Sequence, residues 1–237
     1  MNKGVVVLAV AFGCAQSALA GMCSPGTLQS YIALGAAGCT AGPDQFSSFQ
    51  TLTGFSPNVI SPNAVTVTPL ISGANVSLAF STNLSAATNS TTELFFNYLL
   101  KGNVIGSMIT LANTSATGDG VATYIQNLCN GGTFGSDGIS GCTGTAYQLA
   151  VTNNDTDQAA FAPASAISVT DDFTLDGGQM GSATGGTFTD RFSNSSGPGT
   201  ATPEPNTIIV SGVGMVSLIW LRRRSLVSFY QKTKESL

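Results

Sequence analysis

Carboxylates are the side chains of this sequence that could perform general acid–base chemistry near neutral pH. The chain contains no histidine, which excludes a Ser-His-Asp triad, a Cys-His dyad and histidine-based zinc sites. A pair of Asp or Glu side chains can still hydrolyse a glycosidic bond. The candidates for such a pair lie in the second half of the chain and are Asp155, Asp157, Asp171, Asp172 and Asp176.

Some of the same acids suggest a calcium loop. Asn153, Asp155 and Asp157 alternate as the first ligands of an EF-hand do, but Gln158 stands where that loop needs glycine. No glutamate follows at the required distance. Asn and Asp also favour turns, because their side chains hydrogen-bond the local backbone. We therefore expect a solvated turn at residues 153–157, keep calcium as the weaker alternative, and predict no catalytic residue and no cofactor.

The first twenty residues have the pattern of a secretory signal peptide. Lys3 precedes an apolar run over residues 5–12, and the small residues Ala18 and Ala20 suit signal peptidase. The apolar run is too short to span a bilayer. We predict export, with cleavage after Ala20.

The other end of the chain has three consecutive parts that suit surface sorting. A rigid proline motif precedes an uncharged stretch, for which we predict a membrane helix over residues 206–221, and the arginines after it stay cytoplasmic because moving them across is costly. The alternative is a buried strand or core helix, which seldom ends in three arginines. The motif residues are Pro203, Glu204 and Pro205, followed after the stretch by Arg222, Arg223 and Arg224.

Both ends together resemble the PEP-CTERM proteins of Gram-negative bacteria. The resemblance rests on the Pro-Glu-Pro motif, the apolar stretch and the three arginines, so it covers only the C-terminal end of the chain, residues 203–224. It implies a surface protein that a membrane exosortase cleaves near the motif. Residues 225–237 form a longer cytoplasmic tail than the family usually carries, so permanent single-pass anchoring is the alternative to cleavage.

The charge distribution agrees with this topology. Residues 21–205 carry two basic and eleven acidic side chains, a net charge of −9, whereas the residues after the apolar stretch are mainly basic. Positive residues are thereby predicted inside and negative ones outside. An acidic exported domain repels phosphate backbones, so the composition argues against nucleic-acid binding.

The part between the two signals is predicted to be one mainly β domain. Short blocks of β-branched and aromatic residues recur between Gly, Asn, Pro or Ser, without a sustained helical period. This pattern favours an antiparallel β-sandwich, jelly-roll-like, over residues 21–192. One short helix is expected at residues 25–34, capped by Ser24, and a flexible stalk at residues 193–202. The predicted strands cover residues 64–71, 76–80, 93–100, 104–111, 121–128, 145–151 and 166–175.

Four cysteines remain after signal removal: Cys23, Cys39, Cys129 and Cys142. Four cysteines allow three pairings. The local pairs Cys23–Cys39 and Cys129–Cys142 are the simplest, because each closes a glycine-rich loop. Export and an even count favour disulfides over metal or redox chemistry.

These observations predict an exported, non-catalytic cell-surface or extracellular-matrix protein. Its expected partners are signal peptidase, exosortase and the membrane, with exopolysaccharide as a candidate, and it would pass through an inner-membrane intermediate. Exposed aromatic platforms for sugars are not evident, because Trp220 lies in the apolar C-terminal stretch. The tyrosines Tyr31, Tyr98, Tyr124 and Tyr147 lie in or beside apolar blocks, which predicts core packing. The alternatives are a carboxylate-dependent glycan hydrolase and a glycan-binding module.

Overall fold

A computed structural model describes residues 20–52 and 58–195 of the chain. The signal-peptide residues 1–19, the sorting motif, the predicted membrane helix and the cytoplasmic tail lie outside these described residues, so they stay predictions. Within the described ranges, no helix combines the length and the apolar character that crossing a membrane requires.

The described residues form fifteen strands, one α-helix and one short 3-10 helix at Pro62–Ala64. In chain order the elements are β1 (Gly21–Met22), β2 (Gly26–Thr27), α1 (Leu28–Ala33), β3 (Cys39–Ala41), β4 (Asp44–Thr51), β5 (Asn58–Val59), β6 (Val65–Ser72), β7 (Asn75–Thr82), β8 (Ser85–Ala86), β9 (Thr91–Ala112), β10 (Ser115–Thr117), β11 (Val121–Asn130), β12 (Thr145–Thr152), β13 (Thr156–Asp176), β14 (Ser182–Thr184) and β15 (Thr187–Asn194).

The fold is mainly β, as predicted, and is consistent with a sandwich. Twelve strands form one sheet in the order β1-β3-β4-β9-β15-β7-β6-β2; β13 also pairs with β9, β11 with β13, β12 with β11 and β5 with β9. Strands β10, β14 and β8 form a small second sheet. All pairings are antiparallel except β1 with β3 and β5 with β9.

Two long strands, β9 and β13, organise the large sheet. They run antiparallel along their length, and the other edge of β9 pairs first with β5, then with β4 and then with β15. The sequence predicted β9 as two strands, at residues 93–100 and 104–111. The residues between them stay in the sheet because β13 pairs on both sides, with a register shift between Ala160 and Ala166. A single strand therefore connects both halves of the sheet.

Aromatic rings fill the core that the large sheet encloses. Phe188 on β15 lies with its ring centroid 4.9 Å from Phe80 and 4.9 Å from Phe173, and 4.8 Å from Tyr124. Ring pairs at this spacing contribute beyond their buried area. Tyr31, Tyr98 and Tyr124 are buried, and Tyr147 packs against the core from a partly buried position. The prediction that the tyrosines serve core packing is confirmed.

The predicted N-terminal helix exists but begins three residues later than expected. Gly26 and Thr27 form β2, which pairs with Val67 and Thr66 of β6. Because these backbone groups are used in the sheet, the helix starts at Leu28. Thr27, and not Ser24, is its cap: the Thr27 hydroxyl accepts a hydrogen bond from the Ser30 amide at 3.2 Å.

The sequence did not predict the strands near the two ends of the domain. Strands β3, β4 and β14 and most of β15 lie where the sequence pattern predicts no strand. Strand β15 also includes Ser193 and Asn194, which we assigned to the stalk. Ser193 pairs with Asn75 of β7, and the Asn194 side chain donates to Asp44 and to the Ala74 carbonyl. These bonds extend the folded part past residue 192.

Two disulfides are present, Cys23–Cys39 and Cys129–Cys142. The local pairing is therefore confirmed among the three that the sequence allowed. Each bond closes a short loop, with sequence separations of 16 and 13 residues. Such bonds persist in oxidising compartments, which indicates an extracellular or periplasmic location.

Candidate functional site

A cleft with a volume of 360 Å³ lies on the outer face of the large sheet. Strands β9, β13, β11 and β12 form its floor, and the loop between β11 and β12 forms its wall. Across three of these strands Phe95, Asp172 and Ile125 lie in register. The residues that line the cleft are Phe95, Ile125, Asn127, Asp137, Ile139, Ser140, Gln148 and Asp172.

The wall of the cleft is the loop over residues 131–144, which is held at several points. The Cys129–Cys142 disulfide closes it at the base. In its middle, the buried Thr170 hydroxyl on β13 donates to the Gly138 carbonyl. Gly138 has φ +77, and a Cβ there would lie 2.4 Å from the Leu52 side chain. Only glycine allows this close approach without strain, so the loop is fixed against the sheet.

Asp137 is an ionised carboxylate in the wall. It accepts hydrogen bonds from the Ser140 hydroxyl and from the Ser140 and Ile139 amides, the last two at 2.9 and 3.1 Å. The Ser140 hydroxyl above all, and then these amides, lower the pKa of Asp137 below its usual value. Asp137 therefore carries negative charge throughout the neutral range.

Asp172 is a second carboxyl group, on the floor of the cleft. Desolvation raises its pKa to about 6, and the neighbouring Glu93 carboxyl adds to the rise, while a hydrogen bond from the Thr174 hydroxyl at 3.0 Å opposes it. Asp172 is thus partly protonated just below neutral pH. The cleft contains one carboxylate and one group that can act as an acid, which is the division of roles that acid–base catalysis uses.

A cross-strand pair of amides completes the polar part of the cleft. Gln148 on β12 lies opposite Asn127 on β11, and the Gln148 Nε2 donates to the Asn127 Oδ1 at 2.8 Å. Among the described residues, the Gln148 Oε1 and the Asn127 Nδ2 have no hydrogen-bond partner. The Gln148 Oε1 can therefore accept a hydrogen bond from a ligand, and the Asn127 Nδ2 can donate one.

Asp171, the neighbour of Asp172, lies in a different environment. It points into the core, where it is fully buried together with Asp190 of β15. The hydroxyls of Tyr98 and Tyr124 donate to Asp190, the former at 2.6 Å, and the Tyr124 oxygen lies 2.9 Å from the Asp171 Oδ1. Burial first, and then the charge of Asp190, raise the pKa of Asp171 well above its usual value. Burial raises the pKa of Asp190 as well, but hydrogen bonds with Asp171 and the two tyrosine hydroxyls lower it, so Asp171 holds the proton of the pair.

The other candidate residues from the sequence prediction accept hydrogen bonds from backbone amides. The turn predicted at residues 153–157 is shorter than expected, because β13 begins at Thr156 and includes Asp157. Asn153 accepts from the Ala122 amide at 3.0 Å, and Asp157 from the amides of Ala150 and Gln158. Asp155 accepts from the Thr156 amide, and Asp176 from the Gly178 amide. Within residues 20–52 and 58–195, no three Cys, Asp or Glu side chains are grouped so as to hold a metal ion.

The structure thus separates the predicted acids and brings only Asp172 to the cleft. Sequence reasoning missed the residues that accompany it, because Asn127, Asp137 and Gln148 are far apart along the chain. One signal for Asp137 was present: it lies between Cys129 and Cys142, in a loop that their disulfide constrains.

A second cavity of 180 Å³ lies beside the Cys23–Cys39 disulfide. It is lined by backbone and small or apolar side chains, including Met22, Tyr31 and Leu34, and by no carboxylate or amide side chain. The cleft below the loop over residues 131–144 is therefore the better candidate for ligand chemistry.

Comparison with known proteins gives no family assignment. No family model and no curated protein matches the chain. A glycosylation-associated protein (Gap123) complex from Streptococcus agalactiae is 13% identical with a TM-score of 0.26, over 66% of this chain and 27% of that one. TmCBM61 bound to beta-1,4-galactotriose is 11% identical with a TM-score of 0.26, over 68% of this chain and 90% of that one. Arabinose-bound MgGH51 α-L-arabinofuranosidase is 17% identical with a TM-score of 0.26, over 75% of this chain and 25% of that one.

At these TM-scores the likenesses establish neither the fold nor the function of this chain. The chain spans about a quarter of the length of the first of these structures, 27%.

Proposed function

We propose that this chain is an exported, non-catalytic cell-surface or extracellular-matrix protein that a PEP-CTERM signal sorts. The observation that carries the proposal is the pair of disulfides, since both bonds need an oxidising compartment. The signal-peptide pattern at residues 1–20 and the Pro-Glu-Pro motif with its arginines support the same route.

In this proposal the domain is a jelly-roll-like β-sandwich, and a helix over residues 206–221 holds it in the inner membrane until exosortase cleaves near Pro205. The cleaved protein then reaches the surface or the matrix, where exopolysaccharide is a candidate partner. Asp171 is buried, and Asp155, Asp157 and Asp176 accept hydrogen bonds from backbone amides. None of these acids lines the cleft, which supports a non-catalytic role.

The experiment that tests this route is intact-mass spectrometry of the protein recovered from the cell surface of its host. We expect a chain that starts at Gly21 and ends near Pro205. A mass that still includes residues 225–237 would support permanent single-pass anchoring instead. A mass that includes residues 1–20 would contradict export through signal peptidase.

The second candidate function is a carboxylate-dependent glycan hydrolase. It is favoured by one observation, the raised pKa of Asp172 in the same cleft as the ionised Asp137. Hydrolysis of a polysaccharide by the purified protein, lost in Asp172→Asn and retained in the turn variant Asp155→Asn, would establish this function. We expect no hydrolysis by either variant or by the unchanged protein.

A further inference from the structure

We propose that the cleft below the loop over residues 131–144 binds uncharged sugar residues of a polysaccharide. This inference deepens the proposed surface function and rests on it for the source of the ligand. It assigns the binding to the Asn127–Gln148 amide pair, with Ser140 in the same cleft and Phe95 and Ile139 as the apolar surface.

The dimensions of the cleft suit a small part of a glycan chain. Its 360 Å³ lies at the lower end of the range of roughly 300 to 1,000 Å³ that ligand sites in proteins occupy. The cleft is partly open to solvent, so a residue of a polymer can enter it from the surface. The disulfide and the bond from Thr170 to Gly138 hold the wall in place before binding, which reduces the entropy lost on association.

The cleft combines apolar and amide side chains, which suit the apolar faces and the hydroxyl groups of a sugar ring. Sugar rings present apolar C–H groups on their faces and hydroxyl groups, which both donate and accept, around their edges. Ile139 is 40% exposed in the wall, and Phe95 and Ile125 underlie the floor. The free acceptor of Gln148 and the free donor of Asn127 complement hydroxyl groups, because an amide side chain offers both functions.

Charge selects against acidic glycans. Asp137 is ionised at neutral pH, and Asp172 becomes ionised above a pKa of about 6. Lys101 and Arg191 are the basic side chains within residues 20–52 and 58–195, and neither lines the cleft. A uronate, sulfate or phosphate group would therefore meet uncompensated negative charge. Uncharged sugars avoid this repulsion.

The test is affinity electrophoresis of the oxidised full-length protein at pH 7.5, in native gels that contain glucan, galactan, mannan or xylan, with alginate as the acidic comparator. We expect at least one neutral polysaccharide to retard the protein and alginate not to do so. Retardation by none of the four neutral polymers, or equal retardation by alginate, would overturn the proposal.

The residue assignment is tested with Gln148→Ala against the matched control Gln158→Ala. Both glutamines are exposed on strands of the same sheet, but Gln158 on β13 lies outside the cleft. We expect about a tenfold weaker affinity in Gln148→Ala, as loss of a ligand hydrogen bond gives, and an unchanged affinity in Gln158→Ala. Equal affinities of the two variants, at unchanged thermal midpoints, would overturn the assignment. The gel assay does not depend on where the protein is located in its host, and the mass measurement does not depend on binding, so failure of this proposal is distinguishable from failure of the proposed surface function.

Discussion

Asp171 and Asp172 are adjacent in sequence but have opposite surroundings, because successive side chains of a strand point to opposite faces of a sheet. Asp171 shares the core with Asp190 and two tyrosine hydroxyls, and Asp172 faces the cleft. Both have raised pKa values, mainly through desolvation. Of the two, only Asp172 lines the cleft, so only Asp172 can contact a ligand there.

The first prediction concerns the buried pair and the pH dependence of stability. Asp171 has a pKa that is raised in the folded state, so its contribution to stability is complete below the unfolded pKa of about 4 and is lost as the pH rises through the folded value. Asp172 adds a loss of the same sign between about pH 4 and 6. We therefore expect the urea midpoint of the oxidised protein to fall between pH 4 and pH 8.

The variant Asp171→Asn should reduce this fall, because an amide stays uncharged at every pH. The part due to Asp172, between about pH 4 and 6, should persist. The matched control is Asp155→Asn, which changes an acid in the exposed turn between β12 and β13. In the control, the urea midpoint should fall with pH as much as in the unchanged protein. If the midpoint of Asp171→Asn falls as steeply, the assignment of the proton to Asp171 is contradicted.

At the scale of elements, the loop over residues 131–144 acts as a fixed wall and not as an open connection. Its disulfide, the Thr170 bond and the close approach at Gly138 are three independent restraints. The long strands β9 and β13 supply the rigid floor on which this wall rests. Both the wall and the floor of the cleft are therefore restrained before any ligand enters.

The second prediction tests the close approach at Gly138. Gly138→Ala places a methyl group 2.4 Å from the Leu52 Cδ1, at a φ of +77, and should destabilise the protein by about 2 kcal/mol or more from backbone strain and overpacking. Gly131→Ala is the control, since Gly131 has φ +74 and nothing within 4 Å of its Cβ position. Denaturant unfolding should show the larger loss for Gly138→Ala. Equal losses would mean that contact with Leu52 does not restrain the loop.

At the scale of the molecule, a chain with few charges relies on its core and on its two disulfides. Most large apolar side chains of the described residues are buried in one cluster. The two disulfides constrain loops near the N-terminal strands and beside the cleft. Because each constrained loop is short, each bond reduces the entropy of the unfolded chain by a moderate amount.

The third prediction follows from this arrangement. Thiol titration of the denatured, unreduced protein should detect none of Cys23, Cys39, Cys129 and Cys142. Reduction should lower the free energy of unfolding by about 3 kcal/mol for each bond. Four reactive thiols, after Cys14 in the signal segment is discounted, would contradict both bonds.

The double variant Cys129→Ala with Cys142→Ala should lower stability and loosen the cleft wall, measured as faster amide exchange at residues 131–144.

The local sequence determined much of the fold. Alternating β-branched and aromatic residues predicted β6, β7, β11 and β12 closely, because such side chains fit a half-buried pleated surface. Strand β4 was missed because Phe46 and Phe49 are surrounded by Ser, Gln and Asp, which carry little strand preference. Its pairing with β9, and not its composition, makes it a strand.

The sequence by itself determined the predominance of β structure and the absence of histidine chemistry, since these depend on composition and on short-range spacing. It favoured the local disulfide pairs among three possible pairings, and the structure shows those pairs. Tertiary structure alone decided which acids have a ligand-facing position. Asn127, Gln148 and Asp172 line one cleft because β11, β12 and β13 pair in a particular register, and the restrained loop over residues 131–144 brings Asp137 to it. A shift of one residue would exchange Asp171 and Asp172 between core and cleft, because side chains alternate with a period of two.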